Sequence, residues 1–100
     1  MTSRPPHIRA AREIPNVPEG TVLRLTGGDW SHCAAFPPGA DLVMTVSRVH
    51  RNCLREIDGV WWVWVVGHRH PECTWAYVER HPPCLQLMAT VSVLARAVGS

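Results

Sequence analysis

The chain has 100 residues, and its hydrophobic fraction of 46% is large enough to form the core of one small domain. A charged fraction of 18% and a net charge of +2 argue against a disordered chain, and overall charge does not indicate a nucleic-acid partner. Because no apolar run could span a membrane and residues 1–17 lack a signal-peptide pattern, we expect a cytoplasmic protein with reduced thiols and no membrane partner.

The first 19 residues are predicted to form a basic, extended arm. Four prolines within residues 1–19 disfavour both a helix and regular strand pairing. The arm also carries three arginines, Arg4, Arg9 and Arg12. The simpler interpretation is a flexible, solvated tail, so deletion of residues 1–17 should change stability little. Residues 20–100 would then form a single β-rich domain.

Three strands are predicted in the first two thirds of this domain. Residues 21–26 form the first, which Gly27-Gly28 interrupts. Residues 41–50 form the clearest strand, because apolar and polar side chains alternate along it. Asp58-Gly59 is the strongest hairpin signal in the chain, and it leads into residues 60–66, a run of β-branched and aromatic side chains.

The third strand carries three tryptophans whose orientation matters for function. We expect Trp62 and Trp64 to face the core and Trp61 to point to the opposite side. Residues 67–72 are predicted to form a loop rich in histidine and proline. Residues 73–80 are predicted as the next strand, with its two aromatic side chains, Trp75 and Tyr77, on one face.

The segment from residue 85 to residue 98 fits two patterns, a helical apolar stripe and strand alternation. The preceding Pro82-Pro83 is a plausible helix entry and the segment is long for a strand, so we favour a helix. An added strand is the alternative. With the predicted strands, this segment indicates a mainly β fold of four to five antiparallel strands.

Four stretches of sequence carry a resemblance to a known group of proteins. They are residues 20–30, 41–50, 59–63 and 75–80. In these stretches the chain resembles small uncharacterised proteins of actinobacteriophages and of their actinobacterial hosts. The resemblance covers about residues 20–80 and implies a small SH3-like barrel and a phage or prophage origin. It transfers no functional residue.

Every cysteine has a histidine within three residues, which is typical of zinc sites. Successive turns of an antiparallel sheet lie at alternating ends, so the predicted strands divide these residues into two groups. One end would hold His50, Cys53, His81 and Cys84. The other end would hold His32, Cys33, His68, His70 and Cys73.

Zinc at the first of these groups is a hypothesis with strong competitors. His-x-x-Cys is less specific than paired Cys-x-x-Cys, and free cysteine often packs as a small hydrophobic side chain. The group also weakens if the second strand continues to Asp58, because Cys53 would then lie within the strand. We therefore expect no resident cofactor. Disulfides Cys53–Cys84 or Cys33–Cys73 would be favoured only after export.

The absence of a recognisable catalytic constellation predicts a non-enzymatic binding module. Its predicted binding face is aromatic and consists of Trp61, Trp62, Trp64, Trp75 and Tyr77. Together with the resemblance, this face implies contact with a host or phage protein. A nucleic-acid-binding barrel is one alternative, with contacts from Arg4, Arg9, Arg12, Arg48, Arg51 and Arg55. A zinc-stabilised mini-domain is the other.

Overall fold

The computed structural model describes residues 14–70, Cys73 and residues 84–99. Within them, five antiparallel strands form a nearly closed barrel, followed by one short helix. The elements are β1 (Val22–Leu25), β2 (Trp30–Ser31), β3 (Leu42–Ile57), β4 (Val60–Arg69), β5 (Leu85–Thr90) and α1 (Val91–Gly99). The strand order is β1-β3-β4-β5-β2. The predicted mainly β fold is therefore confirmed.

The long hairpin of β3 and β4 is the centre of the barrel. Its two-residue turn has positive φ at both positions, 51° at Asp58 and 81° at Gly59, as the predicted hairpin signal requires. Both strands are longer than predicted. β3 continues to the turn, and β4 includes residues 67–69, which the sequence indicated as a loop. Backbone hydrogen bonding that starts at a tight turn continues along both strands. The strands therefore extend beyond the residues with the highest β-propensity.

The C-terminal segment contains both of the predicted alternatives in succession. Residues 85–90 are a strand that pairs with β4, so the preferred prediction of a helix throughout was wrong for this part. The helix begins directly afterwards. The Val93 backbone N–H donates to the Thr90 side-chain oxygen over 3.2 Å, so Thr90 acts as an N-cap.

The orientation of the tryptophans on β4 is the reverse of the prediction. Val63 and Val65 are fully buried in the barrel interior, and strand alternation places Trp61 on their side. Trp62 and Trp64 lie on the outer face of the strand and are partly buried. The interior of a barrel this small accepts β-branched side chains more readily than two indoles, so the valines occupy it.

The end of the predicted arm packs on the barrel. Ile14 is 2% exposed and belongs to the core, and Val17 packs against the same cluster. The Arg51 guanidinium donates to the backbone oxygens of Ile14 at 2.7 Å and Pro15 at 2.9 Å. In contrast to the expected solvated tail, residues 14–17 are thus part of the domain. Arg4, Arg9 and Arg12 lie outside the described residues.

Asp29 joins the β1–β2 connection to helix α1. Its carboxylate accepts hydrogen bonds from the Thr26 backbone N–H at 3.0 Å and from the Thr26 hydroxyl at 2.9 Å. The Arg96 guanidinium of α1 donates to the same carboxylate, with 3.1 Å between Arg96 Nη2 and Asp29 Oδ1. Partial burial raises the pKa of Asp29, but the bonds from Thr26 and the Arg96 charge outweigh it together, so the pKa lies below its ordinary 3.8.

The Asp29→Asn variant should therefore lose stability in a pH-dependent way. A lowered pKa means that ionised Asp29 stabilises the folded state above pH ~4, and this contribution disappears as the pH falls through the folded-state pKa. We expect Asp29→Asn to melt below the wild type at pH 7 and to match it in strong acid. Thermal melts across this range provide the measurement, and an equal deficit at every pH would contradict the prediction.

Candidate functional site

A pocket of about 590 Å³ opens between the β2 strand, the loop that follows it and the outer face of β4. Strand register explains why β4 contributes to it. Trp64 lies opposite Met88 of β5, and Met88 lies opposite Ser31 of β2, so these side chains share one face. The lining residues are Trp30, Ser31, His32, Cys33, Ala34, Phe36, Pro38, Gly39 and Trp64.

The inner wall of this aromatic pocket is fixed by Trp30. This indole is 5% exposed, and its Nε1–H donates to the Ala40 carbonyl oxygen over 2.6 Å. Phe36 packs edge-on against it, with ring centroids 6.4 Å apart and an interplanar angle of 68°. Because the Trp30 indole is held by a hydrogen bond and Phe36 packs against it, the apolar wall is preformed.

The rim of the aromatic pocket carries one imidazole in an unusual backbone conformation. His32 has a φ of 59°, in the left-handed region that non-glycine residues rarely adopt. Its Nδ1 lies 2.7 Å from the Ser31 hydroxyl oxygen, and its ring packs edge-on to Trp64 at 6.3 Å. The strained turn thus places the imidazole in the pocket lining, against Trp64.

A positive charge lies behind the Phe36 wall. The Arg69 guanidinium carbon is 4.9 Å from the centroid of the Phe36 ring, which is a cation–π distance. Arg69 is the last residue of β4 and is exposed. None of the described lining residues is acidic. The described lining of the aromatic pocket is therefore free of acidic side chains, and one guanidinium lies over its Phe36 ring.

Arginines flank the tryptophans on the outer face of the β3–β4 hairpin. Arg55 lies opposite Trp62, and Arg48 lies opposite Val66, two residues beyond Trp64. The Trp62 Nε1–H is buried and has no hydrogen-bond partner among the described residues. A buried donor without a partner destabilises the fold by roughly 1–3 kcal/mol. Arg51 does not belong to this face, because it binds the carbonyls of the docked arm.

The predicted aromatic site is therefore divided by the structure. Trp64 lines the aromatic pocket, Trp62 lies beside it on the outer face, and Trp61 is on the core side. Two further members, Trp75 and Tyr77, lie outside the described residues. Sequence reasoning missed Trp30 and Phe36. Their signal was available, because they are the two aromatic residues of the Pro-rich stretch before β3.

The predicted zinc group is not brought together in the described part of the chain. Cys53 lies in an irregular stretch of β3 opposite the Val63–Trp64 step of β4, whereas Cys84 precedes Leu85, which lies opposite Gly67. These levels are about four residues apart, roughly 13 Å along the strand. His81 lies outside the described residues. The structure contains neither of the disulfides that the sequence would favour only after export, Cys53–Cys84 and Cys33–Cys73.

Cys84 instead lies beside Cys73 and His68. The two sulfurs are 3.9 Å apart, and the Cys73 sulfur is 3.6 Å from His68 Nδ1. Desolvation of the Cys73 thiol raises its pKa, and the hydrogen bond and charge of Cys84 add to this effect. The grouping follows from β5 pairing directly with β4, which the sequence did not indicate.

Comparison with known proteins found no matching family model, no similar curated protein and no similar solved structure. In the described part of the chain, no helix has the length and apolarity needed to cross a bilayer.

Proposed function

We propose that the protein is a non-enzymatic binding module that captures an extended peptide segment of a partner protein in its aromatic pocket. The observation that carries this proposal is an apolar pocket lined by Trp30, Phe36 and Trp64, in which Phe36 packs on the buried Trp30 indole. Flat aromatic walls recognise proline rings and aliphatic side chains, and an extended segment loses little conformational entropy on binding.

The surroundings of the pocket favour a segment with an acidic residue next to its apolar anchor. Arg69 contributes a permanent positive charge over the Phe36 ring. This charge attracts a carboxylate at the rim, which would set the direction of the bound peptide. On the resemblance to phage proteins, we place the partner among the proteins of the phage or of its host cell.

A second candidate function is single-stranded nucleic-acid binding. The feature that favours it is the row of Arg48 and Arg55 beside Trp62 and Trp64 on the outer face of the hairpin. Bases stack on aromatic side chains, and arginines contact the phosphates. Such binding weakens steeply as the salt concentration rises, whereas insertion of an apolar side chain into the pocket does not.

The Trp64→Ala variant tests the proposed function. Peptides selected against the full chain from a random library should be enriched in proline or aliphatic residues next to Asp or Glu. Their affinity, measured by fluorescence anisotropy, should fall by at least ~30-fold in Trp64→Ala, the loss typical of a central aromatic contact. The melting temperature should change little, because Trp64 lies outside the core.

Val60→Ala is the matched control, because Val60 lies on the same strand, is 43% exposed and is absent from the pocket lining. It should bind the selected peptides as the wild type does. Equal affinities of wild type and Trp64→Ala would exclude the aromatic pocket as the binding site. Failure to select peptides, combined with salt-sensitive binding of a single-stranded oligonucleotide, would favour the second function.

A further inference from the structure

A second cluster of reactive side chains lies at the end of the barrel where β4 ends and β5 begins. His68 is near the end of β4, and pairing of Gly67 with Leu85 brings Cys84 next to it. Cys73, in the connection between the two strands, completes the group. One ligand atom from each residue lies within 4.8 Å of the others. Strand pairing therefore brings together three residues that are up to 16 positions apart.

The spacing of these atoms matches a tetrahedral zinc ion. With Zn–S of about 2.3 Å and Zn–N of about 2.0–2.1 Å, tetrahedral angles separate two sulfurs by about 3.8 Å and a sulfur from a nitrogen by about 3.6 Å. The observed separations are 3.9 Å between the Cys73 and Cys84 sulfurs and 3.6 Å between the Cys73 sulfur and His68 Nδ1. The third pair, Cys84 and His68, has ligand atoms within 4.8 Å of each other.

A backbone contact orients the Cys84 sulfur. The Arg69 backbone N–H donates to the Cys84 sulfur over 3.4 Å. An amide that points at a sulfur fixes its direction, as groups around metal ligands do. The contact comes from strand β4 and not from a mobile loop, so the Cys84 sulfur is held in place before any ion binds.

We propose that His68, Cys73 and Cys84 bind a zinc ion that cross-links the end of β4 to the start of β5. Among the common divalent ions, zinc is the one that prefers a set of two thiolates and one imidazole. Binding displaces the two thiol protons and involves no change in oxidation state.

This zinc site shares only Cys84 with the predicted set around Cys53, and it does not depend on the proposed peptide-binding function. It would close the chain between residues 68 and 84, across the connection of 15 residues (70–84) between β4 and β5. Arg69 lies between the two sites, since its backbone contacts Cys84 and its guanidinium contacts Phe36. An ion at the barrel end would therefore restrain one wall of the aromatic pocket.

Metal analysis of the full chain tests the proposal. Protein purified with a reductant and dialysed should contain close to one zinc per chain. Replacement by Co²⁺ should give a near-ultraviolet sulfur-to-cobalt absorption band that is halved by Cys73→Ser or Cys84→Ser. Zinc affinity, measured by competition with a chelating dye, should fall in these variants and in His68→Ala by more than the ~10–100-fold that outer-shell changes cause.

Cys53→Ser and His50→Ala are the matched controls, because they remove the same ligand types from the predicted group elsewhere on β3. Both should retain the zinc content and the cobalt band of the wild type. The proposal is overturned if the reduced wild type takes up no zinc from a Zn²⁺ titration. It is equally overturned if Cys53→Ser loses zinc as Cys84→Ser does, or if peptide mapping finds a Cys73–Cys84 disulfide in protein kept reduced throughout.

Discussion

Gly67→Ala should destabilise the barrel by about 3 kcal/mol, the upper end of the usual cost of overpacking. A methyl group at Gly67 would lie 2.1 Å from the Thr45 carbonyl oxygen and 2.8 Å from Met44 Cε. The methionine side chain could move aside. The carbonyl belongs to the backbone of β3, so relief of that clash would separate the central hairpin. Domains of this size are often stable by only 5–15 kcal/mol, so the loss is a large fraction.

Gly28→Ala is the control for this variant. Both changes add one methyl group to a glycine, but nothing lies within 4 Å of the position that a Gly28 methyl group would occupy. Urea denaturation of the two variants should give a midpoint near that of the wild type for Gly28→Ala and a much lower one for Gly67→Ala. Similar midpoints would show that β3 and β4 approach less closely at this level than the structure indicates.

The parts of the fold that were predicted correctly rest on local patterns. Strand β3 alternates Leu42, Met44 and Val46 with polar residues, and all three are buried as expected. Asp58-Gly59 specifies its own turn, because few other pairs tolerate positive φ at both positions. Such signals depend on neighbours in sequence, so they survive without knowledge of the tertiary structure.

The orientation of β4 was not predictable in the same way. Residues 60–66 are apolar on both faces, so alternation alone does not show which side is the interior. The register of β4 against β3 and β5 determines which of its faces is the interior. Val63 lies between Leu54 and Ala89, and Val65 lies between Val49 and Leu87, all of which pack in or against the core. That information is distributed over β3, β4 and β5 and cannot be read from the sequence of β4 alone.

The candidate metal ligands were misgrouped for a related reason. The predicted topology took residues 73–80 as the strand after β4, which assigned Cys84 to the end of the sheet that holds Cys53. In the structure β5 pairs with β4 from residue 85. Cys84, directly before β5, therefore lies near the end of β4, close to His68. The sequence identifies residue types that can bind zinc, but which of them lie close together depends on strand order.

Loss of the docked arm is the other change with a large expected effect. Ile14→Ala should lower the free energy of unfolding by about 2–4 kcal/mol, because it leaves a cavity beside a side chain that is 2% exposed. Deletion of residues 1–17 should cost at least as much. It also removes the two carbonyls that Arg51 binds and Val17, which packs on the core.

Deletion of residues 1–13 distinguishes the stability contribution of the docked residues from that of the rest of the arm. This shorter deletion keeps Ile14, Pro15 and Val17, so its denaturation midpoint should stay close to that of the wild type if the remaining Pro-rich stretch adds little core. Denaturant melts of the two deletions and of Ile14→Ala provide the comparison. If all three variants were as stable as the wild type, Ile14 would not belong to the core in solution. A deficit in Ile14→Ala and in the longer deletion would instead identify residues 14–17 as a structural part of the barrel, held in place by Arg51 from the irregular stretch of β3.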